Sequence, residues 1–242
     1  LYMMTIPGRQ TDHRFGNLTE ARAAKAAGKV RYSDVVRIGG HETTIGRAEI
    51  ESVLPAEFRE TGKKKLSDMT PFTKGVVRTA LTHVAKHEPG KFGEVAQKLK
   101  ILGSTHSTEL GYSVGLDDFR VVNRAGRDKI LGDAEVAARS ARRGATTQEE
   151  ADRRTLGVFS RANKELDTLN EAALRKNPTN ILRMVQSGSR GTPGQLKQIV
   201  STPVLVSDAT GALVPELIRK SYSEGLDVAS YFTALHGARK GT

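Results

Sequence analysis

The chain has 242 residues, with 38 Lys and Arg against 27 Asp and Glu, giving a formal net charge of +11. It has no Cys, which excludes disulfide scaffolds, thiolate metal sites and thiol nucleophiles. Aromatic residues make up 5% and Trp is absent, so a thin, helix-rich core fits better than a β-sandwich.

The chain opens on a short apolar stretch, Leu1 to Met4, followed by a polar loop and an Ala-rich helix over 18–27 that Gly28 stops. Loose alternation of Val30, Tyr32, Val35 and Ile38 predicts a strand closed by Gly39 and Gly40. Residues 48–54, ended by Pro55, read equally as a short helix or a strand. Between Arg59 and Lys100 stand ten Lys and Arg against four Asp and Glu, densest at Gly62-Lys63-Lys64-Lys65. Helices are expected over 70–86, with Pro71 near the start, and over 92–99; the lysines read first as their solvated faces.

The clearest periodicity, 133–176, has no Pro and predicts a projecting antiparallel helical hairpin turning at Arg142-Arg143-Gly144-Ala145. Thr147-Gln148-Glu149-Glu150 has the capping-box pattern that opens a helix. Ala151, Thr155, Phe159, Ala162, Leu166, Leu169 and Ala173 step by four and three, as the seam of an antiparallel coiled coil does. After Asn177-Pro178 come a helical approach over 181–185, the loop Ser187-Gly188-Ser189-Arg190-Gly191-Thr192, and a helix over 195–200 with Pro193 in its first turn. Val204-Leu205-Val206 and Leu213-Val214 flank a Gly-containing turn and predict a short hairpin. The last segment, 224–240, places Val228, Phe232 and Leu235 on one face. The fold class is mainly α with small β elements, α+β, with no repeat or linker that separates independent domains.

Chemical motifs are few. Asp117 and Asp118 are adjacent and diverge on either a helix or a strand, so a turn or cap is expected of them rather than a shared metal. The six histidines are read as scattered, and no histidine metal site is expected. There is no Walker loop, nucleophile elbow or Gly-x-Gly-x-x-Gly. In the 187–191 loop, glycines let backbone N–H groups approach an anion and Arg190 adds a guanidinium fork suited to phosphate, although a flexible surface turn explains it equally. Arg239 and Lys240 read as cations that stabilise a helix end or touch a phosphate backbone. No run approaches the roughly 18 apolar residues of a membrane span, and the first residues lack a signal pattern, so no membrane association and an intracellular location are expected.

The order of these segments resembles the middle of the β′ subunit, the largest-type catalytic subunit of multisubunit DNA-directed RNA polymerase. Leu1-Tyr2-Met3-Met4-Thr5 is similar to the family's Leu-Tyr-Tyr-Met-Thr, Thr43-Thr44-Ile45-Gly46-Arg47 to its Thr-Thr-x-Gly-Arg, and Ser113 to Asp118 to its Ser-x-Gly-x-Asp-Asp. Ser187 to Gly191 with Gln195 and Gln198 resembles the Ser-Gly-Ala-Arg-Gly element, while Glu224-Gly225-Leu226, Tyr231-Phe232 and His236 to Gly241 resemble the start of the bridge helix.

The resemblance implies a pore region over 1–125, a funnel region over 126–200 with the rim hairpin at 133–176, and an F-loop with the first part of the bridge helix over 201–242. It implies template-directed RNA synthesis in an assembled enzyme with β-like and other β′-like subunits, DNA template, RNA product and nucleoside triphosphates as partners. Arg190, Gln195 and Gln198 would lie on the nucleotide path, and Tyr231, His236, Arg239 and Lys240 near nucleic acid, with factors docking on the rim hairpin. The family's metal-binding Asn-Ala-Asp-Phe-Asp-Gly-Asp loop is absent, so Mg2+ would be held by residues outside this chain, no catalytic residue is assigned here, and the isolated chain would be inactive. The family's Gly-x-Arg-Gly stretch is replaced by Ser201-Thr202-Pro203-Val204. The abrupt ends fit a section of a longer subunit or one piece of a split subunit like those of some large bacteriophages. A free-standing basic module that binds nucleic acid is the alternative reading of the charge.

Overall fold

The computed structural model describes residues 1–239, without the side chains of 236–239. It is mainly helical with one small sheet. The chain forms two units, Leu1–Ser113 with Gln186–Arg190, and Val114–Val185 with Gly191–Thr242.

The first unit begins with α1 (Tyr2–Thr5), then β1 (Gln10–Phe15), α2 (Leu18–Ala26), β2 (Val35–Ile38), β3 (His41–Thr44), α3 (Ile45–Val53), α4 (Lys74–His87) and α5 (Phe92–Leu110). β1 lies where a polar loop is expected. Its Gln-Thr-Asp-His-Arg-Phe sequence has no apolar alternation because it is an edge strand exposed on most positions and held through its backbone, parallel to β2. The predicted strand from Val30 shrinks to Val35–Ile38 because Asp34, buried, accepts from the backbone N–H of Arg31 and turns the chain first. Gly39 and Gly40, with φ of +57° and +86°, make the two-residue turn that pairs β2 with antiparallel β3.

Residues 45–53 settle as a helix because Thr44 caps them, its Oγ1 accepting from the Arg47 N–H. α4 begins after Pro71, at Thr73 as N-cap. α5 runs to Leu110, beyond the expected 99, and ends at Gly111 in the left-handed region. Its last two turns are exposed on most positions, so apolar periodicity fades before the helix does. Met4, Ile50, Leu54, Phe72, Ala80, Val84, Val95 and Leu99 form the main core of this unit.

In the second unit a 3-10 turn (Leu116–Phe119) precedes α6 (Arg124–Arg143), α7 (Gln148–Lys176), α8 (Asn180–Ser187), which ends in the first unit, α9 (Pro193–Val200) and α10 (Val228–Arg239). α6 and α7 are the expected antiparallel hairpin, but α6 starts at Arg124 rather than 133, capped by Asn123. At the tip, Thr147 accepts from the Glu150 N–H, while the Glu150 carboxylate reaches back to Thr146 rather than to Thr147. The capping box is thus opened by one residue.

The α7 seam follows prediction to Leu166 and then moves to Asn170 and Leu174 in place of Leu169 and Ala173. The change of partner explains it: Leu174 packs with Leu196 and Val200 of α9, not along α6. The predicted hairpin around residues 204–214 consists only of isolated bridges, Val204 with Ile218 and Ser207 with Leu213. The Asp208 carboxylate organises its turn by accepting from the N–H groups of Thr210, Gly211 and Ala212. Val204 is buried at φ +63°, a position L-residues with branched side chains rarely adopt. α10 starts at Val228, four residues after the expected 224; Val228 and Phe232, placed on one face by the sequence, are 74% and 62% exposed, while Ala234 packs on Val206 and Ile218.

Candidate functional site

Two of the sequence motifs meet in the first unit. Met4, buried on α1, presents its carbonyl oxygen to the Thr44 hydroxyl at 2.8 Å. Gly46 follows on α3, where an added Cβ would lie 2.6 Å from the same carbonyl, so only glycine allows the approach. Arg47 is 1% exposed and its guanidinium donates to Glu51 at 3.2 Å, Glu60 at 3.4 Å and the Thr70 carbonyl at 2.7 Å. Glu60 also accepts from Lys64 and the Thr70 N–H, which holds its carboxyl below the usual range despite partial burial. The Thr-Thr-Ile-Gly-Arg run is therefore a buried joint between α1, α3 and the chain at 60–70.

The loop after α8 carries Arg190. Gly188 takes φ +73° against the Lys74 side chain, and Ser187 and Ser189 share a hydroxyl contact of 2.9 Å. Arg190 is exposed and has no ion pair among the described residues. A guanidinium so placed is open to a phosphate. Gly191, at φ +79°, leads into α9, whose N-terminus is a full capping box: Thr192 accepts from the Gln195 N–H and the Gln195 amide oxygen accepts from the Thr192 N–H. Gln198 lies one turn along α9, half-buried. Arg190 falls in the first unit and both glutamines in the second.

The segment before α10 is fixed by charge. Glu224 accepts from Arg127 of α6 through both carboxylate oxygens, and also from Arg124 at 3.0 Å and the Ser221 N–H at 3.0 Å. Arg127, 3% exposed, completes its set with Asp128 and the Ser201 carbonyl. Arg127 above all, with the Ser221 donors, lowers the Glu224 carboxyl to about 2. Beyond it, Tyr231 is half exposed and edge-on to Phe232. His236 and Arg239 continue α10 with side chains outside the described residues, and Lys240 lies outside them entirely.

Asp117 and Asp118 act as expected of a turn. Asp117 pairs with Arg120, and Asp118 accepts from the N–H groups of Gly115 and Asn180. Among the described residues no group of three or more His, Cys, Asp or Glu is arranged to hold a metal. The described residues therefore do not fit a magnesium site. His83 and His87, four apart on α4, correct the view of the histidines as scattered: their rings lie 4.3 Å apart and His83 contacts Glu57 at 3.1 Å. The spacing was visible in the sequence. Arg127 left no such signal, because nothing local marks it as the partner of a residue 97 positions away. No helix of the described residues is long and apolar enough to cross a membrane.

No protein-family model matches the chain. Curated relatives do. The chain is 32% identical over 89% of its length to the DNA-directed RNA polymerase subunit beta' of Pelotomaculum thermopropionicum, of which it covers 18%. It is 31% identical over 83% of its length to the subunit beta' of Streptomyces coelicolor, covering 15% of it. To that of Treponema pallidum it is 27% identical over 100% of its length, covering 18%. The chain thus spans less than a fifth of these relatives. Along most or all of its length, it is similar to a single stretch of the β′ subunit of DNA-directed RNA polymerase.

Proposed function

We propose that this chain is a section of the β′-type subunit of a DNA-directed RNA polymerase, either part of a longer polypeptide or one piece of a split subunit, as in some bacteriophages. It forms pore and funnel walls of the secondary channel and the start of the bridge helix. The observation that carries this reading is the similarity to β′ subunits along the whole chain, within which the buried Met4–Gly46–Arg47 joint falls on two of the motifs. In the assembled nucleotidyltransferase, with β-like and further β′-like subunits, it supports RNA synthesis on a DNA template in the cytoplasm. The catalytic Mg2+ is held by carboxylates outside this chain, which alone is inactive.

Arg190 meets the phosphates of the incoming nucleoside triphosphate, with α9 and its Gln195 and Gln198 lining the route. Tyr231, His236, Arg239 and Lys240 belong to the nucleic-acid side of the bridge helix, and the α6–α7 hairpin receives factors that enter the channel.

The test is reconstitution of the chain with the remaining polymerase polypeptides, followed by template-dependent RNA synthesis. Activity that requires this chain is expected, and Arg190→Ala should raise the nucleotide concentration for half-maximal synthesis severalfold while DNA retention stays unchanged. Full synthesis without the chain, or failure to co-assemble, overturns the assignment. An unchanged nucleotide requirement overturns the role of Arg190.

A further inference from the structure

The lysine run of the first unit is part of a built cleft rather than a helix face. Gly62-Lys63-Lys64-Lys65 folds against the β2–β3 hairpin, and between them lies a cleft of about 570 Å3 lined by Arg37, His41, Lys63, Lys64 and Lys65. Gly62, at φ +82°, brings its α-carbon onto the His41 ring, where an added Cβ would touch three ring atoms at 3.2–3.3 Å. The Thr43 and Thr61 hydroxyls meet at 3.1 Å and tie β3 to the loop. Lys64 is committed to Glu60 at 2.6 Å. Lys63 donates to the Ala56 carbonyl at 3.0 Å and Arg37 stands across the β2–β3 ladder from Glu42, the one acid in the lining, but none of Arg37, Lys63 and Lys65 has an ion pair among the described residues.

Five basic residues gathered around a cleft whose lining holds one acid favour a polyanion, because each one neutralised releases the repulsion among its neighbours. The lining has no Phe or Tyr on which a base could stack, so a site of this composition responds to phosphate and not to base identity. Cations carried on both the strand and the loop suit phosphates spaced along a strand better than one compact group.

We propose that this cleft binds the phosphodiester backbone of a nucleic-acid strand, without base readout. The assignment does not rest on the polymerase reading, and assembly of the chain with other subunits leaves it unaffected either way.

The experiment measures binding of a labelled mixed-sequence single-stranded DNA to the full chain by fluorescence anisotropy across a salt series. The parent is compared with Lys63→Gln/Lys65→Gln, and with Lys91→Gln/Lys98→Gln, which removes the same charge from lysines of the same unit that pair with Glu88 and Glu94. All three should share one unfolding temperature. The cleft pair should weaken binding about tenfold near 0.1 M salt and lower the slope of log affinity on log salt by about 1.4, two contacts at roughly 0.7 each for single strands. The control pair should change both far less, and polythymidylate and mixed strands should bind alike. Equal loss in both variants would reduce the effect to net charge and overturn the site. So would displacement of the strand by inorganic tripolyphosphate at stoichiometric concentration, which would assign the cleft to a compact polyphosphate.

Discussion

Arg127 and Glu224, 97 residues apart, form the charged contact through which α6 holds the segment entering α10. Both side chains are mostly buried, at 4% and 14% exposure, and Ser201, Asp128, Arg124 and Ser221 satisfy their other polar atoms. Burial of such a pair is tolerated only when its polar atoms are satisfied. Glu224→Gln should therefore destabilise the second unit by about 2–3 kcal/mol, read by chemical denaturation. Glu224→Asp, too short to keep both contacts, should lie between parent and Gln variant.

The same contact sets an acid limit. Because the folded carboxyl sits at about 2, below its ordinary value of 4.5, the unfolded chain takes up the proton first. The stabilisation is fully present above about pH 4.5 and is lost as the pH falls towards 2. Stability curves of parent and Glu224→Gln should converge over that interval, and parallel curves would show that the pair is not the source.

Gly46 tests the joint in the first unit. Gly46→Ala places a methyl group into the Met4 backbone, which cannot yield as a side chain could. A loss of about 3 kcal/mol or more is expected, against roughly the opposite sign for Gly→Ala in an open helix interior. Arg47→Met should cost about as much, since it leaves Glu51 and Glu60 buried or half-buried without their guanidinium. Hydrogen exchange on α1 and α3 would show whether the damage is centred there.

Asn170 is the opposite case. It is 5% exposed on α7, and neither its amide nitrogen nor its oxygen has a hydrogen-bond partner among the described residues. Asn170→Leu, of equal heavy-atom count, should stabilise the second unit by about 1 kcal/mol and raise its melting temperature by a few degrees. A fall would mean that the amide contributes a contact the hairpin needs.

His106, buried on α5 with both ring nitrogens unpartnered among the described residues and its ring edge-on to Tyr32, has its pKa lowered chiefly by loss of solvent. Its folded pKa lies below the ordinary 6.5, so the unfolded chain binds the proton more readily. Its contribution is intact above that value and falls away as the pH drops through it. His106→Leu should flatten the decline in first-unit stability as the pH falls below about 6.5, as followed by thermal melts.

Local signals were enough for the helices that carry a continuous apolar stripe or a clear cap. α7, α9 and the turn at Gly39-Gly40 were legible because each is written within a few residues. β1 was not, since its pairing energy is in the backbone and its side chains face solvent. The start of α6 was hidden by Gly126, Gly132 and a run of charges, and the exposure of Val228 and Phe232 on α10 could not be read because amphipathicity cannot tell burial from an apolar surface left open. Of the candidate site, the exposure of Arg190 and the capping duty of Gln195 follow from nearby residues, whereas the Arg127–Glu224 contact and the fit of His41 on Gly62 require tertiary proximity that no spacing encodes.

Val204 occupies the last position of the stretch where the β′ resemblance leads one to expect glycine, and its backbone still bends as a glycine does, at φ +63°. A conformation of this kind costs of order 1–3 kcal/mol in a branched residue, and the packing of its side chain with Leu131 and Leu166 of the hairpin offsets it. The segment therefore behaves as a latch: trimming either leucine would free Val204 to relax into the extended region and turn the chain leaving Thr202 onto another course, while Val204→Gly would keep the course and discard the grip.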